Sequence, residues 1–392
     1  ILDMPLRRLT KFSRIELEGE RDELAATIDS LTQLLDDPAR LRAAVSDELA
    51  EVSRDHATPR RTVLLEAAAL PAAAGAPLEV ADDPCLVLLS STGLLARTAV
   101  DDAPRTGGAR SRHDVVVSAV RATARGEVGL VTSAGRVLRL SVLELPALPP
   151  TAGQPGLKGG APLKEFVVLG ADEVPLALTT LDPASQGLAL GTSRGVVKRV
   201  SPDVPANRAE WEVIRLDDGD RVVGAVELTT GVEDLVFITS DAQLLRFGAG
   251  SVRPQGRPAG GMAGIRLDRG ARVVFFGAVD PGREAVVVTV AGSSAALPGT
   301  EPGAVKVTDV TEYPSKGRAT GGVRCHRFLK GEDTLTLAWA GAAPPRAATA
   351  SGVAVDLPTE PGRRDGSGVP AQAPLAAVGG PVLPVAVEGT AS

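Results

Sequence analysis

The sequence is poor in the residues that most often hold metals or form disulfides. It contains two cysteines, Cys85 and Cys325, and three histidines, His56, His113 and His326, along 392 residues. None of them has partners at the spacing of a metal site, and so few cysteines are typical of the reducing cytoplasm. We therefore expect a cytoplasmic protein without a bound metal.

Long apolar runs are absent as well, since no stretch approaches the ~20 apolar residues that cross a bilayer. The N-terminus shows no basic-then-apolar signal pattern. Hydrophobic residues make up 44% and charged residues 23% of the chain, as is usual for a globular protein. We expect no membrane partner, and because the sequence begins at Ile1 rather than methionine, we expect a longer protein upstream.

Aromatic residues and net positive charge are both lacking. Aromatic residues reach only 3%, which argues against the base-stacking platforms of single-strand binders, and the formal net charge is −6. An acidic chain argues against a partner held by net charge, so a nucleic-acid surface would be local and duplex backbone is the more suitable target. No P-loop pattern is present, so we expect any ATPase to reside on another chain.

Residues 13 to 57 are predicted to form two helices. Ser13 and Glu16 form a capping-box pattern, and apolar residues then recur at heptad-like spacing, at Leu17, Leu24, Ile28, Leu31 and Leu35. Asp37 and Pro38 supply the N-cap and first-turn proline of a second helix, whose apolar face carries Leu41, Val45, Leu49 and Val52. The spacing indicates a coiled-coil seam, but an intramolecular helical pair explains so few heptads at least as well.

Composition divides the chain into two domains with a linker between them. Residues 1–62 form the helical end, and residues 63–80 are an Ala- and Pro-rich linker with little periodicity. From residue 81 to 385, short Val- and Leu-rich segments alternate with Gly, Asp and Pro, which predicts strands and turns. Residues 386–392 are expected to be a tail.

The β region repeats one pattern: an apolar strand, a small polar turn, and a second apolar strand ending in Arg or Lys. Clear copies occupy 86–100, 129–146, 188–204 and 235–252, and degraded copies occupy 286–299 and 349–358. The turn centres lie on the ~40 to 50 residue scale of four-stranded blades; they are Gly93, Gly135, Gly195, Ala242, Ser293 and Gly352. We predict a mainly β fold, a six-bladed, propeller-like β-pinwheel after a short helical coiled-coil segment.

Several phrases in order resemble the A subunits of bacterial type IIA DNA topoisomerases, the gyrase and topoisomerase IV family. ILDMPLRRLT and DDPARLRAAVSDELAEV are similar to the end of the breakage-reunion and dimerisation region. LVTSAGRVLRLSVLELP, GTSRGVVKRV, LLRFGAGSVRPQGRPAGGMAGIRL and EYPSKGRATGGVRCHRF are similar to successive blades of the family's pinwheel. The resemblance covers nearly the whole chain and implies a DNA-binding and DNA-bending C-terminal region.

The resemblance also implies what this chain lacks. The family's nucleophile is a tyrosine in an upstream winged-helix domain, and Tyr313, the sole tyrosine, instead lies in the loop EYPSKGR, where we expect a partly buried ring with its hydroxyl at the surface. We therefore expect a region that is not catalytic alone. The whole enzyme would join two A subunits with two ATPase B subunits, would use ATP and Mg²⁺, and would lie at the nucleoid.

The loop RTGGAR at 105–110 stands where the resemblance puts gyrase's signature box of glutamine, basic residues and glycines. Its glutamine and much of its basic charge are missing. This departure favours a protein of the topoisomerase IV type, which presents a second duplex for strand passage, decatenation and relaxation. The alternative is a protein of the gyrase type, which wraps DNA for negative supercoiling.

Basic residues that recur in the repeats are the candidate DNA contacts, because sequence-independent duplex binding sets Lys and Arg along phosphates. The second strands supply Arg97, Arg136, Arg139, Lys198, Arg199 and Arg246, and the glycine-rich loops supply Arg105, Arg110, Arg257, Lys316 and Arg318. Two other interpretations remain open. These cations could simply keep strand edges soluble, and the fold could be a protein-interaction scaffold.

Overall fold

The structure, a computed structural model, describes residues 11–56, 81–99, 109–149, 156–297 and 299–382. These residues fall into two compact units, a helical unit that contains residues 11–56 and a β unit from residue 81 onward. The predicted linker at 63–80, the predicted tail at 386–392 and Arg105 lie outside the described residues. The boundaries of the two predicted domains therefore stay predictions.

Two helices form the first unit, α1 (Lys11–Asp36) and α2 (Pro38–His56). The Asp37 carboxylate accepts a hydrogen bond from the Ala39 amide at 2.9 Å, as predicted for an N-cap. Ser13 does not begin α1, because the helix already includes Lys11. The two helices touch, yet the predicted seam is open, with Leu35 72% exposed. Neither described helix is long and apolar enough to cross a membrane.

The second unit consists of short strands. In chain order they are β1 (Pro84–Ser90), β2 (Leu94–Thr98), β3 (Val116–Thr123), β4 (Glu127–Thr132), β5 (Arg136–Ser141), β6 (Ala147–Leu148), β7 (Ala161–Pro162), β8 (Pro175–Thr180), β9 (Leu188–Thr192), β10 (Val196–Val200), β11 (Glu210–Glu212), β12 (Val222–Glu227), β13 (Asp234–Thr239), β14 (Gln243–Gly248), β15 (Pro254–Gln255), β16 (Met262–Ala263), β17 (Val273–Val279), β18 (Ala285–Gly292), β19 (Ala304–Asp309), β20 (Val323–Arg324), β21 (Thr334–Ala342), β22 (Arg346–Ala348), β23 (Ala354–Val355), β24 (Val369–Pro370) and β25 (Ala377–Gly379).

Each repeat folds as the predicted hairpin, and the turn dictates a special residue. Gly93 and Gly135 have φ of 73° and 74°, a left-handed conformation that glycine adopts without steric cost. Ala242 occupies the same place in its hairpin with φ of 62°. The predicted turn centre at Ser293 is wrong, because a loop separates β18 from β19 and the left-handed glycine before β19 is Gly303.

The described strands form six sheets, or blades. Blade 1 has the order β3-β1-β2-β6, with β7 also on β2. Blade 2 is β8-β4-β5-β11. Blade 3 is β12-β9-β10-β15, with β16 also on β10. Blade 4 is β17-β13-β14-β20, blade 5 is β21-β18-β19-β24, and blade 6 is β25-β22-β23. In blades 1 to 5 the last strand comes from beyond the next hairpin, so successive blades interlock.

The blades close into a ring. One edge strand of each blade touches its counterpart in the next, in the order β3, β8, β12, β17, β21, β25 and back to β3. These inner strands surround the centre, and the opposite sheet edges lie at the periphery. The predicted six-bladed arrangement is thereby confirmed.

A hydrophobic cluster lies at every junction between neighbouring blades. Alternate residues of one strand enter different clusters, which explains why these strands are apolar on both faces. Val87 packs against blade 2, for example, whereas Leu88 belongs to the cluster shared with Val382, beyond blade 6. Pairs that represent the other junctions are Val131 with Leu190, Ala189 with Phe237, Ile238 with Val287, and Val288 with Ala347.

Candidate nucleic-acid interface

Four of the predicted arginines occupy one register position. Each is the fourth residue after the turn and pairs across the hairpin with the matching residue of the first strand: Val87 with Arg97, Gly129 with Arg139, Ala189 with Arg199, and Val236 with Arg246. Blades 1 to 4 therefore repeat a guanidinium on the same face of the same strand.

Two of these four arginines are already paired with acids at the start of the neighbouring strand. Arg139 forms an ion pair with Glu127, and Arg246 lies 3.4 Å from the carboxylate of Asp234. Arg199 instead donates to the Gln186 carbonyl at 3.1 and 2.8 Å. Within the described residues neither Arg199 nor Arg97 has a carboxylate partner, so the uncompensated charge of this row lies in blades 1 and 3.

Arg136 lies on the opposite face of its strand, because successive side chains of a strand alternate. Its guanidinium binds Glu173 through two hydrogen bonds of 2.7 and 2.6 Å, and it also pairs with Glu210. The bond from Arg136 holds the pKa of Glu173 at about 2, and the bond to Glu173 in turn raises the pKa of Arg136. Two carboxylates thus neutralise Arg136. Contrary to the prediction, Arg136 does not lie on the same face as Arg139.

Lys198 is buried, which corrects the prediction that it contacts DNA. The side chain has 0% exposure, and its ammonium donates to the carbonyls of Arg257 and Ala259 at 2.8 and 2.7 Å. Burial lowers its pKa to about 8. Lys198 neighbours Arg199 in sequence but faces the other side of the blade, so the ammonium fastens a loop and is not open to solvent.

Arg110 joins the two ends of the ring. It binds the buried carboxylate of Asp114 at 2.6 and 3.2 Å and the carbonyl of Ala347 in blade 6 at 2.7 Å. Arg346 of blade 6 reaches the same carboxylate at 3.2 Å. The charge of Arg110 is therefore held by the protein, in a clasp between blade 6 and the segment before β3.

Two of the predicted glycine-rich loops, at 255–261 and 315–322, lie at the periphery of the ring, whereas most of RTGGAR lies outside the described residues. We call outer loops the described segments that precede the short strands paired antiparallel with the second hairpin strand of blades 1 to 5, namely β7, β11, β16, β20 and β24. They are residues 156–160, 205–209, 256–261, 315–322 and 360–368. Backbone hydrogen bonds attach the outer loops of blades 2, 4 and 5 to the second hairpin strand; the Lys316 amide, for example, donates to the Arg246 carbonyl at 2.8 Å.

Packing explains the last glycine of four outer loops. A Cβ on Gly322 would lie 2.5 Å from the Leu244 carbonyl oxygen, and a Cβ on Gly261 would lie 2.8 Å from that of Val197. Gly160 and Gly368 meet the strand backbone in the same way, at 2.9 Å from the Leu95 oxygen and 2.8 Å from the Ala304 oxygen. These glycines let the loop lie flat on the strand, whether or not a phosphate approaches.

Every outer loop carries at least one cationic side chain that is exposed or part-exposed. From blade 1 to blade 5 they are Lys158, Arg208, Arg257, Lys316 with Arg318, and Arg363 with Arg364. Arg257 lies 3.5 Å from the exposed Asp203, and Arg318 donates to the carbonyl of Ala263. The candidates absent from the sequence prediction are Lys158, Arg208, Arg363 and Arg364. Aligning the glycine-containing segments before the short edge strands would have found Lys158, Arg363 and Arg364. It would have missed Arg208, because the blade 2 loop has no glycine pair.

Tyr313 is fully buried in the cluster between blades 4 and 5, so the prediction of a surface hydroxyl is wrong. The residue follows the turn after β19, which directs its ring inward, and burial raises its pKa. In the part of the chain that the structure describes, no three His, Cys, Asp or Glu side chains are grouped so as to hold a metal ion.

A closed ring of interlocked blades with a cationic periphery defines a β-pinwheel of the propeller class. The family model described as the DNA gyrase C-terminal domain, beta-propeller, matches residues 127–165, 233–280 and 299–337. The chain belongs to the family of type IIA topoisomerase A subunits, gyrase and topoisomerase IV, and contains their C-terminal β-propeller.

Curated relatives agree with this assignment. The DNA gyrase A subunit of Staphylococcus epidermidis (strain ATCC 12228 / FDA PCI 1200) is 31% identical over 337 residues, which cover 83% of this chain and 36% of that protein. The DNA gyrase A subunit of Staphylococcus aureus (strain NCTC 8325 / PS 47) is 31% identical over 344 residues, with the same coverage. The chain thus spans about a third of the length of these relatives.

Solved structures support the fold. The C-terminal domain of DNA topoisomerase IV superposes with a TM-score of 0.59 at 20% identity, covering 76% of this chain and 94% of that one. The DNA gyrase A C-terminal domain gives a TM-score of 0.50 at 17% identity, covering 76% and 99%.

Proposed function

We propose that the ring binds duplex DNA without sequence preference, through the cations of its outer loops. The observation that carries this proposal is the repetition of exposed or part-exposed Lys and Arg in equivalent loops of blades 1 to 5. Phosphates spaced along a duplex are matched by cations spaced along an arc, and the affinity then falls with salt as counterions are released. The contacts proposed first are Arg257, Lys316 and Arg318, together with Arg97 and Arg199 of the strand row.

A local cationic arc reconciles DNA binding with a net charge of −6. The acidic residues Glu173, Glu127 and Asp234 are paired with arginines of the hairpin strands rather than with the cations of the outer loops. Screening limits the reach of a surface charge to about 8–10 Å at physiological salt. A phosphate near an outer loop therefore responds to the loop's own cations more than to the charge of the whole molecule.

Within the whole enzyme, we propose that this region bends DNA and presents a duplex for strand passage, decatenation and relaxation, as in topoisomerase IV. The degraded RTGGAR loop favours that activity. The gyrase alternative, DNA wrapping for negative supercoiling, is favoured by the names of the curated relatives. The proposed partners are a second copy of the full-length protein and the ATPase subunits. A topology assay of the full-length protein with those ATPase subunits distinguishes decatenation and relaxation from negative supercoiling.

The loop contacts can be tested with Arg257→Ala/Lys316→Ala in the intact chain. Each lost phosphate contact should lower the slope of log affinity against log salt by about one, so duplex binding should weaken for every sequence and the slope should flatten by about one to two. The measurement is duplex affinity from fluorescence anisotropy at several salt concentrations.

The matched control is Arg269→Ala/Arg272→Ala, which removes the same charge from exposed arginines in the turn before the inner strand β17. That variant should keep the wild-type slope. Equal slopes for both variants would reject the loop interface, and salt-insensitive wild-type binding would favour a protein-interaction scaffold instead.

A further inference from the structure

Blades 3 and 5 share a buried lysine at the same register position. Lys198 and Lys306 are each the third residue of the second hairpin strand, with 0% and 3% exposure. The Lys198 ammonium donates to two carbonyls of the outer loop that carries Arg257. The Lys306 ammonium donates to the carbonyls of Arg363, Arg364 and Gly366 at 3.0, 2.7 and 3.0 Å.

The blade 5 outer loop is held at further points. The Gly362 amide donates to the Val307 carbonyl at 2.7 Å, and the Arg327 amide donates to the Gly366 carbonyl at 3.0 Å. The Gly368 amide donates to Nε2 of buried His326 at 3.1 Å. Burial, and then the charge of Lys306, lower the pKa of His326 to about 4, so this nitrogen is a neutral acceptor at physiological pH.

These bonds engage the backbone carbonyls of Arg363, Arg364 and Gly366 on the inner side of the loop and leave the arginine side chains outward. Arg363 and Asp365 are exposed and Arg364 is partly exposed. Within the described residues neither arginine has a carboxylate within ion-pair distance, although Asp365 stands next in sequence. A rigid loop that offers two guanidinium groups loses little conformational entropy when it binds an anion.

We propose that the loop 360–368 is a phosphate-binding site for duplex DNA, with Arg363 and Arg364 as contacts and Lys306 and His326 as positioning residues. Lys198 has the same positioning role for the loop that carries Arg257. This inference rests on the proposed DNA binding, and it assigns the contacts of the blade 5 loop and the buried residues that position two of the loops. Guanidinium groups suit the site because they bind phosphate oxygens through paired hydrogen bonds.

The contacts are tested with Arg363→Ala/Arg364→Ala in the full chain, which alters no buried side chain. Duplex affinity should fall and the salt slope should flatten by about one to two, whereas Asp365→Asn should strengthen binding. Arg269→Ala/Arg272→Ala again serves as the charge-matched control. If the wild type binds duplex with a steep salt slope and Arg363→Ala/Arg364→Ala keeps that slope, the loop site is refuted while the proposed function stands.

The positioning role predicts non-additivity. Lys306→Met should weaken duplex binding and should add little when combined with Arg363→Ala/Arg364→Ala, yet it should add fully to Arg257→Ala. Lys198→Met should add little to Arg257→Ala and should add fully to Arg363→Ala/Arg364→Ala. Full additivity in every combination would overturn the role.

Tryptophan fluorescence checks that each variant folds, since Trp211 and Trp339 both lie in the ring. Should a lysine variant fail that check, His326→Leu is used in its place, and both the hydrogen exchange of the Gly368 amide and the salt slope of duplex binding are measured. The exchange should accelerate together with a flatter salt slope, and faster exchange with an unchanged slope would contradict the role.

Discussion

Single residues in the outer loops are constrained by the strand beneath them. Gly322 lies against the backbone of Leu244, whereas Gly317 in the same loop has open space around it. Two glycines within six positions are therefore under different steric constraints. Only Gly322 needs to lack a side chain.

We expect Gly322→Ala to destabilise the ring by about 1–3 kcal/mol, because its Cβ would have to displace strand backbone. Gly317→Ala, the control, should change the free energy of unfolding by less than about 0.5 kcal/mol. Urea unfolding followed by tryptophan fluorescence measures both. Equal effects of the two substitutions would contradict the packing explanation.

Elements of the ring are tied together by ion pairs across long stretches of sequence. Arg136 of β5 binds Glu173 in the segment before β8, and Thr132 of β4 donates to the same carboxylate. The carboxylate side chain is 6% exposed, so little water screens the pair. This contact joins three segments of blade 2.

The pair makes blade 2 acid-sensitive. The folded-state pKa of Glu173, about 2, lies below the ordinary 4.5, so its stabilising contribution is present above pH 4.5 and is lost as pH falls toward 2. We expect a loss on the order of 2–3 kcal/mol over that interval. Glu173→Gln should remove this part of the pH dependence, measured by urea unfolding between pH 5 and pH 2.5.

The control for that experiment is Glu127→Gln, at an ion-paired carboxylate that is 49% exposed. An exposed pair contributes about 0–1 kcal/mol, so the acid-induced loss should remain. An undiminished loss in Glu173→Gln would show that other groups cause it.

At the scale of the whole molecule, the clasp around Asp114 connects the ends of the chain's β region. Its carboxylate is 0% exposed and lies between Arg110 and Arg346. The other junctions join blades that are adjacent in sequence, whereas this one joins the first and sixth blades. Ring closure therefore depends on a buried charge as well as on the apolar cluster around Leu88.

Asp114→Asn should weaken the ring by about 3–5 kcal/mol, because two guanidinium groups would face a neutral amide. Asp203→Asn, at a 71% exposed partner of Arg257, should cost less than about 1 kcal/mol. Hydrogen exchange of β22, β25 and β3 should accelerate in Asp114→Asn. Unchanged exchange at these strands would argue against a clasp.

The repeating pattern of strand, glycine turn and basic strand predicted the number of blades and the hairpins, whereas the family followed from the resemblance of several phrases in order. Those features are local, because a hairpin and its left-handed turn are encoded in about fifteen consecutive residues. The prediction of a turn centred at Ser293 was wrong because the connection between β18 and β19 is longer than the turns of the other hairpins.

Only the tertiary structure decided which cations are free to bind a ligand. Lys198 and Arg199 are neighbours in sequence, yet one is buried under a loop 59 residues away and the other faces outward. Arg136 is neutralised by Glu173, 37 positions away, and Asp114, which binds Arg110, also binds Arg346, 232 positions away. Since the last strand of blades 1 to 5 comes from beyond the next hairpin, a pattern within one repeat carries no information about which segment will cover it.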